Sequence, residues 1–158
     1  MQYVKAHRRG EGDRCVFCEA LAQGDDVATH VVHRGVSCFV ILNAFPYNAG
    51  HAMVLPNRHV EDLGDLTDEE SLETMRITQR LCRAFREAMN AEGLNIGVNL
   101  GRSAGGSIDH LHWHVVPRWR GDTNFMPVVA GAKVLVEMLE DTGARLRKAL
   151  ADQTEETA

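Results

Sequence analysis

The sequence predicts an α+β domain: a mostly antiparallel, five-stranded sheet with one long inserted helix and a second helix at the C-terminal end. Three observations carry this reading. Short β-branched and aromatic runs are punctuated by turn residues, one long stretch between them has helical period, and an amphipathic stretch follows the last run. The 158 residues suit one domain with its core at about 13–150. Segment 1–12 is polar and aperiodic and reads as flexible, and 151–158 reads as a polar tail.

In chain order, "DRCVFCEALAQGDD" predicts a short helix or knuckle ending at Gly24. "THVVHRG" and "VSCFVILN" read as a hairpin about Arg34-Gly35, and "HAMVLP" as a third strand stopped by Pro56. In "LTDEESLETMRITQRLCRAFREAMNAEG", Thr67 and Glu70 make a capping box. Leu72, Met75, Cys82, Phe85 and Met89 recur there at helical spacing beside Ile77, Leu81, Ala84 and Ala88, and Gly93 is placed to end the helix. "LNIGVNL" is the fourth strand, "GRSAGGS" a glycine-rich loop and "HWHVVPR" the fifth strand, where Pro117 points to an edge or a strand end. Leu135, Met138, Leu139, Leu146 and Leu150 mark one side of the last helix.

Hydrophobic residues at 44% and charged residues at 25% are ordinary for a globular chain. No apolar run reaches the roughly 20 residues of a membrane helix, and the N-terminal stretch lacks a signal-like apolar core, so a cytoplasmic protein without a membrane partner is expected. In that compartment the four cysteines read as thiols. A net charge of −5 argues against a nucleic-acid polymer as partner. Residues 102–120 nevertheless hold Arg102, Arg118, Arg120 and three histidines against Asp109, which suits a small anionic ligand.

The densest chemistry is "HLHWHVVPR". Side chains alternate along a strand, so His110, His112 and His114 share one face and Leu111, Trp113 and Val115 the other. Same-face neighbours about 6–7 Å apart suit successive roles along a ligand better than three bonds to one ion. Ahead of them, Gly101, Gly105 and Gly106 let backbone N–H groups converge on an anion; Ser107 adds a hydroxyl, and Asn99 ends the preceding strand. An imidazole beside a phosphate cradle is suited to nucleophilic attack on phosphorus.

"HLHWHVV" follows a His-φ-His-φ-His-φ-φ pattern (φ apolar), and with "ILNAFPYNAGHAMVLPNRH" and "NLGRSAGGSIDHLHWHVVPRW" the chain resembles the histidine-triad (HIT) family from about Cys15 to Leu150. The resemblance implies a HIT-like fold and a nucleotidyl transferase or hydrolase acting at an α-phosphate. It makes His112 the nucleophile and His114 a hydrogen-bond partner of the phosphate or departing oxygen. His51 would lie near the phosphates, Asn43 would contact ribose hydroxyls, and Asn99, Gly105 and Ser107 would bind phosphate. Many members carry glutamine where this chain has Gly106, a departure that resembles the family's bacterial diadenosine tetraphosphate phosphorylases and leaves room for inorganic phosphate. Trp119 can stack on a base, wall the pocket or anchor an interface. Family analogy also implies a homodimer, with the strip around Leu72 and Phe85 as one candidate surface.

"CVFC" suits redox chemistry or a metal. The redox reading wants a parallel α/β setting that these elements do not offer. Cys15, Cys18, His59 and His110 can complete a tetrahedral set for a structural zinc, which the resemblance supports and which would immobilise His110. Cys38 and Cys82 read as core residues, and His7, His30 and His33 as surface positions without a role. No organic cofactor is expected, although a divalent cation can accompany a polyphosphate. Arg102, Arg118 and Lys133 are candidates to offset its charge.

Four functions compete. The first is cleavage of a dinucleoside polyphosphate through a nucleotidyl-His112 intermediate, with inorganic phosphate as acceptor; a water-using hydrolase is its variant. The others are a nucleoside phosphoramidase, a non-catalytic nucleotide-binding module, and a zinc-supported structural protein. The intact row of imidazoles disfavours the third, and the glycine loop with Asn43 disfavours the fourth.

Overall fold

A computed structural model describes residues 15–122 and 137–155. Segment 1–12, His7, Lys133 and Leu135 lie outside the described residues. Helix α1 is Val16–Gln23, capped by Gly24 at φ 75°, the left-handed turn that a glycine adopts without penalty. Strands β1 (Val31–Arg34), β2 (Cys38–Leu42) and β3 (Ala52–Pro56) follow. Then come α2 (Asp68–Met89), β4 (Gly93–Val98), β5 (Trp113–Arg118) and α3 (Leu139–Glu155). All described strand pairings are antiparallel, in the order β1-β2-β3-β5-β4.

The middle of this sheet is buried on both faces. Alternate residues of β2 and β3 divide accordingly. Val40, Leu42, Ala52 and Val54 join α2 and α3 through Ile77, Leu81, Phe85, Leu146 and Leu150. Phe39, Ile41, Met53 and Leu55 join Phe17 of α1 on the opposite side. The period of two in the strands thus sorts one face to the long helices and one to the short helix.

Helix α2 starts with the predicted capping box, in which Thr67 Oγ1 accepts from Glu70 N–H and Glu70 accepts from Thr67 N–H. Its buried stripe is Glu70, Thr74, Ile77, Thr78, Leu81, Ala84, Phe85 and Met89, whereas Leu72 and Met75 are exposed. Thr78 can stand in that stripe because its hydroxyl donates to Thr74 O, and Glu70 because Arg58 and the cap satisfy its carboxylate. The helix stops at Asn90 in the left-handed conformation (φ 53°), and Gly93 begins β4. Helix α3 runs through Glu155, so part of the expected tail is helical, and Met138 is exposed just before it. Cys38 is buried as expected, while Cys82 is half-buried.

Strand β5 is interior to the sheet, not an edge. Its pairing with β3 ends at Val115, so Pro117 faces only β4, where its missing N–H breaks no bond to β3. On that vacated side Asn48 donates to Pro117 O, tying the β2–β3 loop to the end of β5. No helix among the described residues is long and apolar enough to cross a membrane.

Candidate active site

The strand proper begins at Trp113, and His110 lies ahead of it with its ring against the two cysteines at the start of α1. Its Nδ1 lies 3.3 Å from Cys15 Sγ and 3.6 Å from Cys18 Sγ, and Cys18 Sγ is 3.6 Å from His59 Nδ1. The four ligand atoms lie within 4.8 Å of one another and could hold a metal ion. A tetrahedral ion with the usual sulfur and nitrogen bond lengths sets unlike ligands about 3.6 Å apart, which these separations fit. The tautomer fits as well. His110 Nε2 lies 3.0 Å from Pro56 O, and a carbonyl only accepts, so Nε2 carries the proton and Nδ1 offers a lone pair. Burial lowers His110 to about 4 and raises Cys18, beside Cys15, to about 11. An ion binding there would have to displace the thiol protons.

The elements that deliver these ligands are tied down independently. Cys15 is the N-cap of α1, and Phe17 of the same helix packs against both His110 (5.8 Å between ring centroids, perpendicular) and His112 (5.4 Å). His59 follows Arg58, whose guanidinium clamps Glu70 at the start of α2 at 2.9 and 3.1 Å and holds that carboxyl below its ordinary range. Leu111 N–H donates to Val60 O at 2.7 Å and so fixes the approach to β5.

His112 is buried, and its Nδ1 lies 2.7 Å from His110 O. The carbonyl again settles the proton: Nδ1–H donates, and Nε2 is left with its lone pair. Burial lowers the pKa of this imidazole, which favours the neutral, nucleophilic form. Its ring stands perpendicular to that of His114, 4.8 Å away.

His114 is held from behind by His51, which is almost fully buried. Tyr47 N–H donates to His51 Nδ1 (3.0 Å), with the Asn43 amide 3.3 Å from the same nitrogen. His51 Nε2–H therefore donates to His114 Nδ1 at 2.9 Å, and the His114 proton sits on Nε2. A backbone amide thus sets, through two imidazoles, a ring N–H on His114. The Tyr47 ring covers this pair, 4.7 Å from His51 and 5.7 Å from His114. Burial, and next the neighbouring His112, holds His114 at about 4. In the sheet His114 is flanked by Met53 on β3 and by Gly97 on β4, so on the β4 side no side chain stands over it.

His112 and His114 open into a cleft of about 670 Å³, a volume suited to a nucleotide-sized ligand. Val16, Phe17, Ala20 and Ile41 supply its apolar wall; Asn43, Gly105 and Ser107 also line it. Ser107 makes no hydrogen bond among the described residues, so its donors are available to a ligand. The rest of the glycine loop differs from expectation. The N–H groups of Ala104, Gly105 and Gly106 close turns onto Gly101 O and Arg102 O, so they are not offered to an anion. Asn99 and Gly106 line a second cleft of about 310 Å³ behind the loop, beside Glu61, Asp62, Asp65 and Asp109. Gly106 has a steric reason to be glycine: a Cβ would sit 2.9 Å from Gly101 O and 3.2 Å from Asn99 O.

Trp119 is not at the cleft. Its indole N–H donates to Met89 O, and the ring packs with the α2-side core, which makes it an anchor at the end of β5. Asn43 lines the cleft, but its Oδ1 caps Phe45 N–H while its amide faces His51. The expected basic surface is dispersed. Arg118 is locked on Asp122, Arg102 faces Asp109 and Arg120 faces Glu92, and no Arg or Lys lines the cleft among the described residues. Phe17, Tyr47 and His30 do line it and were not anticipated. Phe17 had a detectable signal, since it stands between Cys15 and Cys18, and Tyr47 lies midway between Asn43 and His51.

An antiparallel sheet that presents two imidazoles to a largely apolar cleft and a third to a Cys₂His₂ set marks a protein of the histidine-triad class. A family model described as HIT domain matches residues 25–121. The chain is 51% identical over 113 residues to a Mycobacterium tuberculosis protein named AP-4-A phosphorylase, a match covering 71% of this chain and 58% of that one. It thus spans little more than half the length of that relative. It is 37% identical over 140 residues to an uncharacterized HIT-like protein of the same organism, covering 88% and 94%. A Zn-bound histidine triad family protein from Mycobacterium smegmatis superposes with a TM-score of 0.73 at 31% identity, covering 90% of this chain and 96% of its own. A hypothetical histidine triad nucleotide-binding protein from Sulfolobus tokodaii also gives 0.73, at 26% identity, covering 89% and 94%. The chain belongs to the HIT domain family.

Proposed function

We propose that this protein cleaves dinucleoside polyphosphates, diadenosine tetraphosphate being the leading candidate, at an α-phosphate, and that inorganic phosphate is the acceptor. One observation carries the reading: His112 donates Nδ1–H to a backbone carbonyl, which leaves the Nε2 lone pair of a neutral imidazole at the cleft. In the first step Nε2 attacks the α-phosphorus, an N–P bond forms, and the P–O bond to the rest of the polyphosphate breaks. The departing oxygen keeps the bonding pair and is met by the Nε2–H of His114. In the second step a phosphate oxygen attacks the same phosphorus, the N–P bond breaks and a nucleoside diphosphate leaves. The name of the M. tuberculosis relative supports phosphate over water.

The group that Cys15, Cys18, His59 and His110 would hold is a zinc ion, in line with the donor chemistry and with the zinc-bound M. smegmatis relative. It would supply a rigid cross-link between α1 and the start of β5 and take no part in the reaction. We place the protein in the cytoplasm as a homodimer. Strand β4 supports the dimer, since it is one of the two edge strands of the sheet and Ile96 on it is half exposed.

The test is a product assay on diadenosine tetraphosphate with and without inorganic phosphate. ADP together with ATP, formed only when phosphate is present, is expected. AMP formed regardless of phosphate would make water the acceptor, and no cleavage under either condition would refute the reading.

A further inference from the structure

His30 has a backbone conformation that residues other than glycine seldom adopt. Its φ of 60° lies in the left-handed region, which it shares with only one other non-glycine among the described residues, Asn90. For Asn90 the reason is plain, since it caps α2. His30 caps no helix. Its N–H donates to Val27 O and its carbonyl accepts from Leu42 N–H, just before β1 is shifted in register between Val31 and His33. Left-handed backbone at a bulky residue costs free energy and persists where the surroundings impose it, often at ligand sites. Here it sets the imidazole on the cleft, half-buried, next to Thr29, Leu42 and Asn43.

The neighbouring polar side chains are committed. The Thr29 hydroxyl donates to Asp25 O at 2.7 Å, and the Asn43 amide is held by Phe45 N–H and His51. The His30 ring has no hydrogen-bond or ion-pair partner among the described residues. An apolar wall of Val16, Phe17, Ala20 and Ile41 can hold the flat face of a base but cannot tell one base from another. That takes a hydrogen-bonding group at the base edge.

We propose that His30 is that group: a specificity-determining residue that reads the edge of the nucleobase bound against α1 and β2. This rests on the nucleotide-binding reading above and adds to it the residue that selects the base. It also accounts for the backbone, because a glycine would satisfy the same turn without strain but could not reach a ligand.

The experiment measures dissociation constants of AMP, GMP, CMP and UMP for the intact protein and for His30→Gly. The wild type should prefer one or two bases. The variant should lose roughly three- to tenfold affinity for the preferred base, the scale of one hydrogen bond, and bind all four alike. It should melt no lower than wild type, because glycine accepts the left-handed turn. If the variant does not fold, His30→Asn, also tolerant of that region, should change the base preference, because its shorter carboxamide presents different donors and acceptors. An unchanged selectivity profile, or an equal loss for every base, would overturn the assignment. Failure of the wild type to bind any of the four would instead count against the nucleotide-binding reading.

Discussion

The two faces of the sheet are built from the same strands by opposite rules. On the face toward α2 and α3, Val40, Leu42, Val54 and Val115 meet Leu81, Phe85 and Leu146, and these side chains are hydrocarbon. On the other face, Met53, Leu55 and Phe17 give way to His112 and His114, whose Nδ1 atoms each have one named partner. One residue step along β5 moves from one regime to the other, since Trp113 and Val115 pack in the helix-side core. The apolar face tolerates many side chains of suitable volume and answers for stability. The imidazole face depends on proton positions, set by Pro56 O, His110 O and Tyr47 N–H, so its sensitivity is to chemistry before stability.

That contrast can be broken by substitution. His112→Ala should lower turnover by at least about a thousandfold while binding the substrate within a modest factor. Retained turnover would remove the nucleophile from the account. Cys18→Ser should reduce bound zinc from about one per chain to nearly none and lower the melting temperature by about 10 °C. Metal content unchanged by elemental analysis would reject the Cys₂His₂ set.

His51→Ala should cost about 10- to 100-fold in kcat with little change in KM, because His114 loses the donor that fixes its tautomer. An effect confined to KM would make His51 a ligand contact instead. Leu81→Ala, on the other face, should remove about 2–5 kcal/mol of stability and leave kcat at low temperature within twofold. A large loss of kcat there would mean that the faces are not separable.

The smallest expected effect is on pH. His114 is held at about 4 in the fold against 6.5 for a free imidazole. Its folded pKa lies below its unfolded one, so the unfolded chain takes up the extra proton between these values. The stability this site contributes is complete above pH 6.5 and is lost as the pH falls toward 4. His114→Gln should flatten that part of the melting-temperature profile, and an unaltered slope would show that His114 does not titrate as described.

What was legible in the sequence was local or periodic. The capping box of Thr67 and Glu70, the Gly24 stop and the five strands each follow from neighbours a few residues apart. The Cys₂His₂ grouping was legible because few residue types can serve it. The burial of α2 departs from its apolar spacing: Leu72 and Met75 are exposed, while polar Glu70 and Thr78 are buried with partners that hydropathy does not show. For Trp119 the sequence leaves a base contact and an anchor both open, and the fold makes it an anchor; Asn99, a phosphate contact by resemblance, lines the second cleft instead. The proton positions, the inward-turned loop amides and His30 needed the carbonyl directions and backbone dihedrals that only the fold supplies.

The most direct measurement is to quench the protein during reaction with α-labelled diadenosine tetraphosphate and map the label. The account predicts one acid-labile, alkali-stable nucleotidyl adduct on His112, absent in His112→Ala. Turnover by active protein with no adduct at any quench time, or an adduct on another residue, would contradict it.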